Sequence, residues 1–442
     1  MKFVNVLFVV LLYCTHLSAQ VTLPNNLYFT HIGVEDGLCQ NTVCCILQDH
    51  LGFIWLGTKD GLTRYDGYRF RVFKHDAADP MSIGNNFIRV LYEDADGLIW
   101  IGTNVGVYIY NPETENFRKF DVATERGDVI SREVSSIKCD SSGDLWIGVN
   151  WQGVFRYDRR DESLELYEPV PGDTTSLSSV HVWDLCFDGD GNLWVGSQNG
   201  GLDRYDRETD RFVRHRLKGL SDVSRIVLDK QNQLLLGTMK DGLFSFNPYM
   251  GTCQPLLLDS GHKDLFVRAI FVRNSREVVV GTENGIYIYD CVTRKTRHVN
   301  QELGNPYSLS CKAVYSIYCD KEGALWIGTY FGGVNYLPPS SSLIFDKFYP
   351  IGHSDRLSGK AVREFVRDES GIIWIGTEDQ GLNRFDPVSG KFTHYNSRNS
   401  GLSCDNVHGL CVDGDRLYIG TFFGGFNIMD LKTNEIVALG SQ

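Results

Sequence analysis

One short pattern recurs nine times along this chain, and it constrains the fold more than any other feature. In its clearest copies it reads Asp-x-x-Gly-x-hydrophobic-Trp-x-Gly-Thr, then a short turn, a Gly and a run ending Tyr-Asp. The Gly after the Trp position falls at Gly57, Gly102, Gly148, Gly196, Gly237, Gly281, Gly328, Gly376 and Gly420. Successive gaps are 45, 46, 48, 41, 44, 47, 48 and 44 residues, too even for chance. Trp55, Trp100, Trp146, Trp194, Trp326 and Trp374 stand two residues before that Gly, while Leu235, Val279 and Tyr418 take the place in repeats five, six and nine. Units of this period cannot bury an apolar face alone and must stack on one another.

Each repeat parses into four short strands. Repeat four gives Val182 to Phe187, a turn Asp188-Gly189-Asp190-Gly191, then Leu193 to Ser197, Leu202 to Tyr205 and Arg211 to His215. Asp followed by Gly three residues on marks a tight turn, because Asp bonds its own backbone and Gly accepts positive φ. Asn111-Pro112, Asn247-Pro248 and Asp386-Pro387 start the later turns. The 45 Gly, the 12 Pro and the 12% aromatic content suit many hairpins between aromatic and branched runs. Four antiparallel strands per repeat are the unit of a β-propeller blade, with the Trp packed between neighbouring blades. The chain is therefore expected to be all-β.

Nine blades exceed what one ring commonly holds. A break falls in repeat seven, where the usual aromatic-Asp is replaced by Leu337-Pro338-Pro339-Ser340-Ser341-Ser342. The following run, Leu343 to Tyr349, resembles the orphan run Leu27 to Ile32 ahead of repeat one. Both read as fourth strands placed before a first blade. The expected organisation is a signal peptide over 1–19, a seven-bladed β-propeller of four-stranded blades over 20–337, closed by Leu27 to Ile32, and the first two blades of a second propeller over 338–442.

The signal peptide rests on Lys2, the apolar run Phe3 to Leu12 and the small-residue site before Gln20. No later stretch reaches the ~20 apolar residues that cross a bilayer, so the mature chain is expected to be exported. A net charge of −12 gives no general attraction for nucleic acid or anionic membrane. Cys139 and Cys319 share one repeat register, and Cys186 and Cys411 share another. Equivalent registers lie on different blades, so these are read as small buried hydrophobes rather than disulfide partners.

A binding surface is sought where the repeat varies. Six residues before the turn Asp stands Val or Ile in every repeat, from Val43 to Val407, which marks a core position. The next position reads Cys44, Arg89, Ser135, Trp183, Ser224, Arg268, Tyr315, Arg363 and His408. The turn between strands two and three adds Lys59, Asn104, Trp151, Gln198, Lys240, Tyr330 and Phe331 on the same face. Aromatics stack on sugar rings, and Arg or Lys bonds carboxylate or sulfate. The ligand-binding candidates are Trp151, Trp183, Arg89, Arg268, Tyr315, Lys59, Lys240 and Tyr330; the same side chains could instead fill the channel mouth or cover an interface. The acidic turns lack the calcium-loop pattern, and the histidines lack zinc spacing, so no metal, cofactor or catalytic group is assigned. His181 and His408 leave a propeller lyase or glycosidase as the lesser alternative, beside a free-standing binding scaffold.

The run Leu-Trp-Ile-Gly-Thr…Gly-Gly-Val/Leu-Asn…Tyr-Asp, clearest at Leu325 to Tyr336 and Ile373 to Asp386, resembles the two-component regulator propeller repeat. That repeat fills the periplasmic sensors of hybrid two-component systems in gut Bacteroidetes, whose ligands are typically oligosaccharides. The resemblance implies a ligand-sensing region that recognises an oligosaccharide or other small ligand. It implies a partner histidine kinase beyond a membrane helix, working as a homodimer. Neither kinase nor membrane helix lies within the 442 residues, so the chain is expected to be part of a sensor or a truncated form of one, not itself an enzyme.

Overall fold

The turn aspartates organise each blade from the inside. Asp94 Oδ1 accepts the backbone N–H groups of Asp96 and Leu98, both at 3.0 Å, while Oδ2 accepts the indole N–H of Trp100 at 2.8 Å. The same carboxylate-to-indole bond joins Asp49 to Trp55, Asp140 to Trp146, Asp188 to Trp194, Asp320 to Trp326 and Asp368 to Trp374, at 2.7–3.1 Å. One ionised side chain thus closes the hairpin and orients the largest core residue.

The computed structural model describes residues 22–217, 220–257, 265–339, 347–349 and 356–439, and the expected signal peptide lies outside them. They form nine antiparallel sheets of four strands each. The chain divides into two compact units near residue 343. The first unit holds seven sheets and the second holds two. Among the described residues no helix is long and apolar enough to cross a membrane.

In the first unit every blade lays its first strand beside that of the next, and the first strand of blade one, Val43–Gln48, lies beside that of blade seven, Val314–Cys319. The ring of seven is closed. Its last sheet is composite: Thr30–Ile32 pairs antiparallel with Val334–Leu337, His31 opposite Asn335. The expected strand from Leu27 is shorter than the sequence suggested. Leu27 and Phe29 instead pack into the blade-seven core with Leu309 and Leu325.

The invariant Gly explains how blades approach. A Cβ on Gly102 would lie 2.4 Å from Val90 of its own blade and 2.6 Å from Val134 of the next. Gly57 meets Ile88, Gly148 meets Val182, Gly196 meets Val223, Gly237 meets Val267 and Gly281 meets Val314 in the same way. Gly328 meets Val43, which carries the contact across the ring closure. Each of the branched residues contributed by the neighbouring blade is fully buried. Within the second unit Gly376 meets Val407, but Val362 is 49% exposed. The reading of that register as core fails at Val362, because no preceding sheet of its own unit stands against it.

Two further expectations change. Lys347 to Tyr349 is not a strand, and residues 343–346 lie outside the described ones. Phe348 packs on Phe385 and Phe392 of blade eight at 4.9 and 5.5 Å. The eleven cysteines from Cys39 to Cys411 are free, but only Cys186 is buried and Cys411 is exposed. Blade edges leave these registers half covered, so the buried-hydrophobe reading holds for one of the four.

A loop-pinning amide recurs on the third strand of the last three blades. Asn335, Asn383 and Asn427 are fully buried and accept the backbone N–H of Ser310, Ser358 and Ser403 at 2.8–3.0 Å. Blade four puts Asp203 in that register, bonded to Ser178 N (2.9 Å) and Oγ (2.6 Å), with Oδ1 unpartnered among the described residues. Burial pushes the Asp203 carboxyl up to about 6, against the pull of the Ser178 bonds.

Two outcomes follow for stability. Gly102→Ala should lower it by roughly 1–3 kcal/mol in urea unfolding, whereas Gly409→Ala, whose Cβ meets nothing, should stay within about 0.5 kcal/mol. Asp203 binds its proton more tightly folded than unfolded, so its contribution is present at low pH and is lost as pH rises through about 6. Asp203→Asn should flatten that slope, worth roughly 2 kcal/mol between pH 4 and 7, in unfolding measured across that range.

Candidate ligand-binding face

The variable register owes its orientation to a bulge. In blades one to four and six to nine the first strand slips by one residue just after the core Val or Ile, as between Val43 and Cys45 or Ile88 and Val90. The unpaired residue is the variable one: Cys44, Arg89, Ser135, Trp183, Arg268 and Tyr315 in the first unit. A bulge bends the strand and re-aims one side chain out of the pleat. Blade five lacks the slip, and Arg225 pairs directly with Gly237.

Six of the eight candidates form one belt across the closed ring. Trp183 packs edge-on to Phe266 at 6.4 Å, and the Arg268 guanidinium lies 3.9 Å from the Phe266 ring and 4.6 Å from Tyr315. Tyr315 faces Tyr330 at 5.1 Å, and Lys59 Nζ stands 4.2 Å over Tyr330 and 5.8 Å from Phe87. Arg89 continues over Phe87 at 4.0 Å and bonds Asn104 at 2.9 Å. Two carboxylates hold the cations: Glu133 pairs with Arg89 at 3.2 Å and Glu283 with Arg268 at 2.5 Å. The Trp183 indole N–H is buried and unpartnered among the described residues.

Trp151 and Lys240 stand apart from the belt. Trp151 is 66% exposed, sits at positive φ of 71° and packs edge-on against His181 at 4.1 Å. Lys240 is exposed, and its carbonyl accepts the N–H of Leu265. Phe331 packs on Tyr330 at 4.1 Å, so the exposed aromatic surface extends outward at blade seven. His181 bonds Asn150 at 3.1 Å and His408 lies against Phe422; neither faces a carboxylate among the described residues.

Beneath the belt lies a second ring of residues that the sequence reading missed. Arg225 is held by the carbonyls of Arg268 (2.7 Å) and Ser224 (2.8 Å), and burial pushes its pKa down, offset in part by Asp184. Asp184 accepts Ser136 Oγ at 2.9 Å and the N–H groups of Leu185 and Ile226. Burial raises Cys44 to about 11 despite the nearby Arg89, Lys59 and Arg268 charges. Phe87, Glu133 and Phe266, one place before the core residue, were equally overlooked. The signal was available, since that column varies as freely as the one chosen.

The face thus offers rigid aromatic surface interleaved with cations fixed by carboxylates, suited to holding a polar ring compound with anionic substituents. Among the described residues no His, Cys, Asp and Glu group could hold a metal ion.

Comparison with known proteins places this architecture. The model of the two component regulator propeller family matches residues 37–60, 82–105, 176–199 and 308–331, in blades one, two, four and seven. The extracellular domain of a protein assigned to a hybrid two-component system of B. thetaiotaomicron superposes with a TM-score of 0.76 and 26% identity, over 94% of this chain and 55% of that one. A second such domain from the same organism gives a TM-score of 0.62 and 20% identity, over 94% and 61%. Histidine kinase P4 of Formosa agariphila is 39% identical over 59 residues, 13% of this chain and 4% of that protein. The chain spans between half and two thirds of the two domains. It carries two-component regulator propeller repeats, and its architecture is that of the extracellular domains of hybrid two-component systems.

Proposed function

We propose that this chain is the periplasmic ligand-sensing region of a hybrid two-component sensor and that its belt recognises an oligosaccharide. The observation that carries the reading is the continuous run Trp183–Phe266–Arg268–Tyr315–Tyr330–Lys59–Phe87–Arg89 across the closed ring. Sugar rings stack on the aromatic faces, and acidic substituents meet the guanidinium groups. Trp151 and His181 give a second stacking surface at the border of blades three and four. In this reading residues 1–19 direct export, and residues 338–442 open a second propeller. The bound state is passed to a histidine kinase in a homodimer.

The belt is rigid before the ligand arrives, because Arg89 and Arg268 are already paired, and preorganised contacts lose little entropy on binding. Isothermal titration against neutral, uronate-bearing and sulfated oligosaccharides is the test. Saturable binding without turnover is expected, weakened about tenfold or more by Arg268→Ala, the loss of one charged hydrogen-bond donor. Binding that survives both Arg268→Ala and Arg89→Ala removes the belt as the site, and release of a cleaved product replaces the sensor reading with an enzymatic one.

A further inference from the structure

On the outer side of the ring, the turn after the third strand of one blade reaches the Asp turn of the blade before it. Arg159 of blade three sets its guanidinium on Asp94, at 3.3 Å, and on Asp96 of blade two. Arg207 of blade four bonds Asp140 of blade three at 2.8 Å. Tyr249 of blade five donates its phenol to Asp190 of blade four at 2.7 Å. Three consecutive seams are thus closed by a donor from the following blade onto the turn carboxylates.

The seam between blades seven and one has the same carboxylates but no Arg or Tyr donor from the turn after the third strand; Lys321 of blade seven crosses instead to the Asp49 and His50 carbonyls of blade one, at 2.7 and 3.3 Å. Asp320 and Glu322 occupy the registers of Asp94 and Asp96, and Gly67 occupies the register of Arg159 and Arg207. A Cβ at Gly67 would meet nothing within 4 Å. Tyr68, the register mate of Tyr249, is 93% exposed. Asp320 bonds its own turn and Trp326, and Glu322 takes only the Gln48 amide at 3.3 Å; among the described residues no cation pairs with either. Asp94, Asp140 and Asp188 are buried by the blade that follows, whereas Asp320 stays partly exposed. A cleft of about 630 Å³ opens there, walled by Asp66, Tyr68, Phe70, Trp326 and Tyr336 beside the two carboxylates.

We propose that this cleft is a binding site for a guanidinium group supplied by another molecule. The occupant takes the place that Arg159 fills two seams further along the ring. Its planar fork bonds Asp320 and Glu322 as Arg159 bonds Asp94 and Asp96, and its faces lie among aromatic walls. The site is separate from the belt: it is built on the Asp turns and outer strands, whereas the belt is built on the bulges and on the turns between strands two and three. An arginine on a partner polypeptide and a small guanidinium compound share this chemistry.

Titrating the chain with N-acetyl-arginine amide, N-acetyl-lysine amide and a Gly-Arg-Gly amide peptide, by calorimetry and Trp fluorescence, tests the site. Saturable binding of the arginine compounds is expected, weakened about five- to tenfold in Glu322→Gln. Asp96→Asn, whose carboxylate already holds Arg159, should leave binding unchanged. Tighter binding of the peptide than of the single amide identifies a polypeptide source, and equal binding a small-molecule source. Glu322 is exposed, so its substitution should leave the thermal midpoint in place, which circular dichroism checks. The proposal is overturned by absent binding, by lysine binding as tightly as arginine, or by binding indifferent to Glu322→Gln in a folded variant.

Discussion

Everything in the first unit depends on how closely one blade can lie against the next, and a hydrogen atom sets that distance. Where the second strand of each blade carries Gly, the Val or Ile of the following blade comes within the space a methyl group would need. The contact is made around the ring and across its closure, from Gly328 to Val43. Any side chain at these positions would wedge neighbouring sheets apart, and a closed ring has no free direction in which to relax. The turn aspartates complement this contact. By holding each indole at a fixed place and angle they set the thickness of the layer that the glycines thin.

This rigid frame separates the residues that hold the ring from those free to change. The core Val or Ile is locked by the neighbouring Gly, and the residue after it is expelled from the pleat by the bulge. A single register step therefore divides scaffold from variable surface. Because the bulge recurs blade after blade, the expelled side chains gather at one mouth and meet there. Arg268 lies over Phe266 of its own blade and Tyr315 of the next, and Arg89 is paired with Glu133 of the following blade. No single repeat contains a binding site.

The same economy of repetition exposes departures from it. Asp203 stands where later blades bury an Asn, which places an ionisable group under the loop that carries His181. Gly67 stands where two other blades place an Arg, and a cleft lies beside two carboxylates at the seam that joins the two ends of the ring. Asp203 differs from its Asn counterparts by one group, and that difference changes the charge balance of a buried place.

The sequence by itself determined the blades: their number, their strands, and the Trp and Gly that pack them. Local chemistry decides those features, since Asp turns, positive-φ glycines and alternating apolar runs act within a few residues of one another. It also marked the variable register and most of the belt. The tertiary structure alone decided which of those residues meet. Trp151 and Lys240 share the face with the rest yet fall outside the belt, and Phe87, Phe266, Arg225 and Asp184 join it or lie beneath it unannounced. It decided too that Val362, identical in pattern to its buried counterparts, is exposed, and that three of four cysteines read as buried are not. Burial and proximity are properties of what stands opposite, and in a ring what stands opposite is contributed by another blade about 45 or several hundred residues away.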